Sequence, residues 1–194
     1  KAGVETNQRG FVGVDSYLRT SAPHVFAAGD ITGRLMLVPQ AIQGGFVAGT
    51  NAVQGPSLEE SSQVSPIGSF TDPEYAQVGM TEAQARKQHD VEKAVVRFDT
   101  TTRTIIDGRT MGFCKMLVDR ATHKILGCHV VGERAVEITQ VASIVMTAGM
   151  RVEDLAQVPL SFPTYAGILG RVAAKAAQQL NLKMDWQAND LVGS

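Results

Sequence analysis

The sequence lacks several features that mark particular classes of protein. Its 18 Lys and Arg residues are balanced by 19 Asp and Glu, so no basic surface is expected for nucleic acid or for a membrane. No apolar run reaches the length that spans a bilayer. Only two cysteines are present, and no two histidines have the spacing of metal ligands. These absences predict a cytoplasmic protein without a disulfide framework, a metal site, or a nucleic-acid or membrane partner.

A change in composition divides the chain. The segment GPSLEESSQVS is rich in Gly, Pro, Ser and Glu, as linkers are. The predicted division is residues 1–55, a linker at 56–65, a second domain at 66–182 and a tail at 183–194. The opening residues KAGVETNQRGF include no Met and are typical of the interior of a domain, so we expect the chain to be part of a longer protein.

The first part predicts a fragment of an α/β domain. Gly10–Val14 and His24–Ala28 have the pattern of short strands. A helix is predicted from Pro39 to about Val53, because proline suits the first turn of a helix.

The second part predicts an α+β domain in which an antiparallel sheet has helices packed on one side. Thr81 and Gln84 have the spacing of a capping box, so a helix should begin at Thr81. The remaining predicted elements are strands within PIGSF, AQVGM and AVVRF, a hairpin with arms Gly112–Val118 and Ile125–Val131, and helices Ala135–Ala148 and Pro163–Leu180.

Asp30 is the first candidate site residue. It follows the apolar run Val25–Ala28 and Gly29, shortly before the helix predicted at Pro39. A carboxylate beyond the end of a buried strand can accept hydrogen bonds from the hydroxyl groups of a cofactor. A Gly-Asp pair more often forms a turn or caps a helix, and two residues alone favour that structural role.

The longer string around Asp30 carries a family resemblance. GFVGVDSYLRTSAPHVFAAGD combines Thr20, an apolar run and Gly29-Asp30, and a small-residue helix follows. In this order the features resemble the second FAD-binding motif of the pyridine nucleotide–disulfide oxidoreductases. FTDPEYAQVGMTEAQA and GFCKMLVDRATHKILGCHVVGERAVEI are similar to strings of that family's dimerisation domain. The resemblance covers nearly the whole chain and is to members of the mercuric reductase or dihydrolipoamide dehydrogenase type.

The resemblance implies FAD as the cofactor and NADH or NADPH as the co-substrate. Asp30 would bond the ribityl chain, and the N-terminus of the Pro39 helix would face the flavin pyrimidine edge, where partial positive charge favours a reduced flavin. The implied cofactor-binding set is Gly29, Asp30, Leu37, Val38, Pro39 and Ala41. A homodimer through residues 66–180 is also implied, with FAD and NAD(P) domains upstream.

Two features of the family are missing here. Its acid–base signature is His-Pro-Thr-x-Ser-Glu, whereas the aligned string is FPTYAG, so Phe162 and Gly167 occupy the His and Glu positions. Neither can transfer a proton, and no catalytic residue is assigned. Tyr165 could place a hydroxyl in the space left by the His, although a tyrosine at a helix start commonly packs. Cys114 and Cys128 lack the Cys-x4-Cys spacing of the redox pair and are interpreted as buried thiols.

Two functions remain open from the sequence. The chain could be the C-terminal, FAD-contacting and dimerising portion of a flavin-dependent NAD(P)H oxidoreductase that lacks the usual dyad and is inactive in isolation. It could instead be a self-associating interaction module without catalysis of its own. A stand-alone FAD protein is disfavoured because the sequence contains no Gly-rich turn for a pyrophosphate.

Overall fold

The computed structural model describes residues 2–60 and 64–184. Parts of the predicted linker, residues 61–63, and of the predicted tail, residues 185–194, lie outside the described residues. The chain divides into two compact units, Lys1–Gln63 and Val64–Ser194. No helix within the described residues is both long enough and apolar enough to pass through a bilayer.

The first unit is built around one helix. A turn of 3-10 helix at Gly29–Thr32 precedes α1 (Val38–Gln54). The helix begins one residue before the predicted Pro39, which lies in its first turn. The buried side-chain amide of Asn51 on α1 forms hydrogen bonds with the backbone of two loops, at residue 17 and at residues 57–58. It donates to the carbonyl oxygens of Tyr17 and Leu58, at 2.9 and 2.7 Å, and accepts from two backbone N–H groups.

The strands predicted at Gly10–Val14 and His24–Ala28 do not form. The structure contains isolated bridges in their place, Thr6–Val12 and Arg19–Phe26. This prediction is wrong because an apolar run becomes a strand only when a neighbouring strand pairs along it. Within residues 2–60 each of the two runs forms only a single bridge, and they do not pair with each other along their length.

The second unit contains a five-stranded sheet in which all neighbours are antiparallel. The order across the sheet is β1-β2-β5-β4-β3, so the predicted hairpin β4–β5 includes the central strand, β5. The strands are β1 (Ile67–Ser69), β2 (Tyr75–Gly79), β3 (Val91–Arg97), β4 (Phe113–Asp119) and β5 (Ile125–Val131).

Five helices accompany this sheet. They are α2 (Glu82–Gln88), α3 (Thr102–Ile106), α4 (Ala135–Thr147), α5 (Val152–Gln157) and α6 (Gly167–Gln179). The capping box predicted for the start of α2 is confirmed, since Thr81 Oγ1 accepts from the Gln84 N–H and Gln84 Oε1 accepts from the Thr81 N–H. The short helices α3 and α5 have no counterpart in the sequence-based prediction.

The helix predicted to begin at Pro163 begins instead at Gly167. The side chain of Thr164 explains the delay, because its hydroxyl donates to the Ser161 carbonyl oxygen at 2.7 Å and accepts from the Gly167 N–H at 3.2 Å. The second bond, in which a hydroxyl oxygen accepts from the N–H three residues further on, is typical of a helix start, so the helix begins after Thr164 and not at Pro163. The peptide bond between Phe162 and Pro163 is cis.

The core of the second unit lies between one face of the sheet and the helices, as predicted. Alternate strand residues such as Val78, Met116 and Val130 pack with Ile138 of α4 and Leu169 of α6. The opposite face has a smaller apolar cluster beneath α2, in which Ala85, Val91 and Leu117 are buried. The fold is therefore α+β, with its longer helices on one side of the sheet.

Candidate functional site

The 3-10 turn places Gly29 against the beginning of α1. Gly29 has a φ of 76°, a backbone conformation that favours glycine. A Cβ built on it would lie 3.3 Å from the Cβ of Ala41. A larger residue at position 29 would strain the backbone and press on α1, so the close approach of turn and helix depends on glycine. This approach brings Asp30, the next residue, to the same end of α1.

The carboxylate of Asp30 is exposed and unpartnered. Among the described residues it forms no hydrogen bond and no ion pair, while its backbone carbonyl accepts from the Gly33 N–H at 3.0 Å. The turn is instead held by Thr32, whose hydroxyl donates to the Gly29 carbonyl oxygen at 2.8 Å. Asp30 therefore lies in a turn, which is one form of the structural alternative, but its carboxylate caps no helix among the described residues.

The N-terminus of α1 has no side-chain cap. Leu37 occupies the N-cap position in an extended conformation and cannot accept a hydrogen bond through its side chain. Val38 is 73% exposed, and Pro39 has no N–H. The Val38 N–H is one of the first-turn donors that have no partner within a helix. This helix end thus presents a donor and partial positive charge to whatever lies in front of it.

The predicted cofactor-binding residues lie together on the surface of the first unit rather than inside a cavity. A cavity of about 500 Å³ in this unit borders Gly29 but not Asp30, Leu37, Val38, Pro39 or Ala41. The ion pair between Arg34 and Glu60 lines that cavity. The six predicted residues therefore form an open edge, on which a ligand would be contacted from one side.

Phe162 and Gly167 border a second cavity, of about 510 Å³, in the second unit. Phe162 is 80% exposed. A Cβ on Gly167 would have the Thr164 hydroxyl oxygen as its nearest neighbour, at 3.6 Å, which is an ordinary contact. The structure thus has room for a side chain at position 167. The cavity is formed by β3, the chain from Thr100 to Arg103, the chain from Val158 to Thr164, and α6.

Tyr165 does not line this cavity. Its hydroxyl donates to Asp107 Oδ2 at 2.8 Å, and its ring packs against the core. Burial and the bond to Asp107 raise the pKa of Tyr165 to about 12. The same bond, followed by the pairing with Arg103, lowers the pKa of Asp107. The Tyr165 hydroxyl is therefore held by Asp107, and Tyr165 is not among the residues that line the cavity which Phe162 borders.

The two cysteines are buried neighbours on the core face of the sheet. Cys114 and Cys128 lie on the paired strands β4 and β5, with their Sγ atoms 3.8 Å apart. The hydrogen bond between them and their burial raise the pKa of Cys114 well above its ordinary value. A thiol that stays protonated is a poor nucleophile, and both cysteines are buried, as the sequence predicted. Within residues 2–60 and 64–184, no His, Cys, Asp and Glu side chains cluster as a metal site.

Sequence comparison matches both units to one family. Residues 65–186 match the dimerisation domain of the pyridine nucleotide-disulphide oxidoreductases, and residues 1–45 match the pyridine nucleotide-disulphide oxidoreductase model itself. Mercuric reductase from Bacillus cereus is 35% identical over 166 residues, which are 85% of this chain and 26% of the relative. Dihydrolipoyl dehydrogenase from Vibrio cholerae is 33% identical over 174 residues, 89% of this chain and 36% of the relative.

Solved structures agree with this assignment. The HOCl-induced flavoprotein disulfide reductase RclA from Escherichia coli superposes with a TM-score of 0.79 at 26% identity, over 89% of this chain and 40% of that one. The second unit thus has the fold of a reductase dimerisation domain. The chain belongs to the pyridine nucleotide–disulfide oxidoreductase family, and it spans roughly a quarter to two-fifths of the length of these relatives.

Proposed function

We propose that this chain is the FAD-contacting and dimerising portion of a flavin-dependent NAD(P)H oxidoreductase of the mercuric reductase or dihydrolipoamide dehydrogenase type. In this proposal, residues 1–55 end the FAD domain, 56–65 are the linker, 66–182 form the dimerisation domain and 183–194 are a tail. The FAD and NAD(P) domains that complete the enzyme are its partners. The family of the chain and the names of its relatives support this proposal.

The observation that carries the cofactor assignment is the unpartnered Asp30 carboxylate beside the uncapped end of α1. These groups fit one part of FAD. The Asp30 carboxylate would accept hydrogen bonds from the ribityl hydroxyls, and the Val38 N–H would donate to the electron-rich edge of the ring. Bound FAD would supply the two-electron chemistry with NAD(P)H.

The apolar surface of α1 supports the same assignment. Val38, Ile42 and Phe46 follow one another at helical spacing, and each is more than two-thirds exposed. A helix face of this kind is normally covered in a folded protein. We propose that the flavin and the rest of the FAD domain cover it.

Phe162 and Gly167 define the chemistry that this portion would not perform. In the family the His serves as acid–base catalyst for thiols of the partner subunit and the Glu is the second residue of the dyad, and neither replacement has an ionisable group. Tyr165 keeps its proton and bonds Asp107. We therefore propose an enzyme that does not reduce disulfides by the usual acid–base route, and we assign no catalytic residue in this chain.

FAD retention tests the cofactor assignment. Asp30 and α1 contact only part of the cofactor, so the chain alone, purified with excess FAD, should lose the visible flavin absorption on gel filtration. Near-stoichiometric retention would instead favour a stand-alone flavoprotein.

In the whole enzyme, Asp30→Ala should weaken FAD binding about 10-fold or more, since a hydrogen bond to a charged group contributes about 1.5–3 kcal/mol. The exposed Asp90 offers a matched control, Asp90→Ala, which should leave FAD affinity unchanged.

Self-association without catalysis is the alternative function, and it has its own support. Several large apolar side chains of the second unit are exposed, among them Phe70, Tyr75, Ile106 and Met111. We propose that such residues contribute to an isologous homodimer, which when obligate buries more than roughly 2,000 Å² in total.

Light scattering on residues 65–194 should give the mass of a dimer. A well-folded monomer at micromolar concentration would contradict the homodimer. The alternative would be favoured if the chain is a dimer and if Asp30→Ala leaves the FAD affinity of the whole enzyme unchanged.

A further inference from the structure

The cavity that Phe162 borders is lined by basic side chains and by no acidic ones. Its basic residues are Arg97 and Arg103 at one side and Arg171 and Lys175 on α6, and no Asp or Glu is among its lining residues. Since the chain as a whole is nearly neutral, this local excess is not a consequence of composition.

Two of the four cations are neutralised by neighbouring carboxylates. Arg97 pairs with Asp99 at 2.7 Å, and Arg103 pairs with Asp107 at 2.8 Å. These pairs leave little net charge at their side of the cavity. A ligand would therefore meet an unbalanced charge mainly at α6.

Arg171 and Lys175 have no carboxylate partner among the described residues. They lie one helical turn apart on α6, and each donates to a backbone carbonyl, Arg171 to that of Thr100 and Lys175 to that of Val95, the latter at 3.0 Å. An ammonium has three donors and a guanidinium five, so both groups keep donors for a ligand. The two carbonyl bonds also hold the side chains in the cavity wall, which lowers the entropy that a ligand must overcome in binding them.

The remaining wall is largely apolar. Val95, Val158, Leu160, Phe162 and Pro163 all line the cavity. Its volume of about 510 Å³ falls in the range of sites for small organic molecules, about 300–1,000 Å³. An inorganic anion would leave this apolar surface in contact with water, and a neutral hydrocarbon would leave the two cations unpaired. The lining matches a ligand that has both an anionic group and an apolar body.

We propose that this cavity binds a small aromatic anion, with its anionic group held by Arg171 and Lys175 and its ring against Phe162 and the apolar wall. Guanidinium and ammonium groups form charge-assisted hydrogen bonds with carboxylates, and the bidentate geometry of Arg adds orientation. Binding of the anion does not require the flavin. That the anion is the substrate of the enzyme is a further step, which rests on the proposed function.

The test compares 2-naphthoate with its neutral analogue 2-naphthylmethanol, titrated into the intact chain by calorimetry or by ligand-observed NMR. Naphthoate should bind at least 10-fold more tightly than the alcohol, and its affinity should fall with added salt. The double variant Arg171→Gln, Lys175→Gln should lose at least 10-fold in naphthoate affinity and leave that of the alcohol unchanged. Arg171→Lys, which keeps the charge but not the bidentate geometry, should lose less naphthoate affinity than Arg171→Gln.

A matched control removes the same charge elsewhere. Arg86 and Lys87 lie on α2, outside this cavity, so Arg86→Gln, Lys87→Gln should leave naphthoate binding within about twofold. The proposal is overturned if naphthoate does not bind at millimolar concentration, if the alcohol binds equally well, or if both double variants lose the same affinity. Any of these outcomes leaves the FAD assignment untouched, because that assignment is tested by flavin retention and by Asp30→Ala.

Discussion

The two units of the chain differ in how completely they bury their own apolar residues. Within the described residues, the first unit buries Val12, Leu18, Ala22 and Val47, while most of the exposed side of α1 is apolar. The second unit has a continuous core in which β-strands, α4, α5 and α6 all take part. The second unit therefore contains both sides of its core within its own sequence, and the first does not.

The two candidate sites lie in units that differ in how well they are packed. The residues that would contact a cofactor lie on an open edge of the first unit, which has little core. The cavity lined by Arg171 and Lys175 is formed by residues of the well-packed second unit. A site on an open edge needs other groups to complete it. A site in a wall of packed strands and helices can hold its geometry without them. The comparison thus predicts that the units respond differently to separation and to mutation.

The largest expected effect is on folding of the separated units. Residues 64–194 alone should show helix and sheet signals in circular dichroism and a cooperative thermal transition, because their core is complete. Residues 1–63 alone should show neither, since their buried apolar area is small for a chain of that length. A cooperative transition for residues 1–63 would contradict the comparison.

The second effect concerns proton transfer at the cavity. In the whole enzyme, Phe162→His alone should not produce efficient disulfide reduction, because the imidazole would lack a group to fix its tautomer and stabilise its charge. Phe162→His with Gly167→Glu should be faster, and the open space at Gly167 accommodates the new side chain. A general acid–base group contributes about 10²–10⁴-fold in rate, which sets the scale.

A steady-state assay with a disulfide substrate compares the two variants. Gly167→Glu alone is the control, since it adds the carboxylate without the imidazole. If the single Phe162→His variant is as fast as the double variant, the proposed need for a second group beside the imidazole is wrong.

The third effect is a difference in the free energy of unfolding between a buried and an exposed substitution on one helix. Ile138 and Ile144 both lie on α4, but Ile138 is 1% exposed and Ile144 is 60% exposed. Ile138→Ala should lower the free energy of unfolding by about 2–5 kcal/mol, from lost burial and a residual cavity. Ile144→Ala should change it by less than about 0.5 kcal/mol. Urea denaturation of residues 64–194 measures both, and equal losses would show that Ile144 is buried in solution, for instance by a partner subunit.

The smallest effect is the pH dependence of one surface cluster. Glu82 bonds Arg86, Lys93 and Lys115, and these bonds lower its pKa from 4.5 to about 2. Because the folded pKa lies below the unfolded one, the stabilisation is present above about pH 4.5 and is lost as the pH falls towards 2. Glu82→Gln should therefore cost about 1 kcal/mol at pH 7 and nothing near pH 2.

Glu137 supplies the control for this cluster, because its pairing with Arg134 is more exposed. Glu137→Gln should have little effect at either pH. A Glu82→Gln difference that persists unchanged at pH 2 would mean that packing, not charge, accounts for it.

Local patterns were sufficient to predict much of the second unit. The capping box at Thr81, the hairpin arms β4 and β5, and the helix from Ala135 follow from neighbouring residues, and the structure confirms them. The short helices α3 and α5 could not be predicted in this way, because five or six residues do not show a helical period. The charged cavity was missed as well, although Arg171 and Lys175 have the i, i+4 spacing of one helix face.

The sequence by itself determined the family and the α+β class of the second unit, and the proposals for the cofactor-binding residues and for Phe162 and Gly167 also come from it. Those features depend on residue types in order along the chain. Only the tertiary structure decided that Gly10–Val14 forms a single bridge and not a strand, that Tyr165 bonds Asp107, and that Arg171 and Lys175 share a cavity wall with Phe162. Each depends on which distant segments meet, because strand pairing, a side-chain partner and local charge balance are set by neighbours in space.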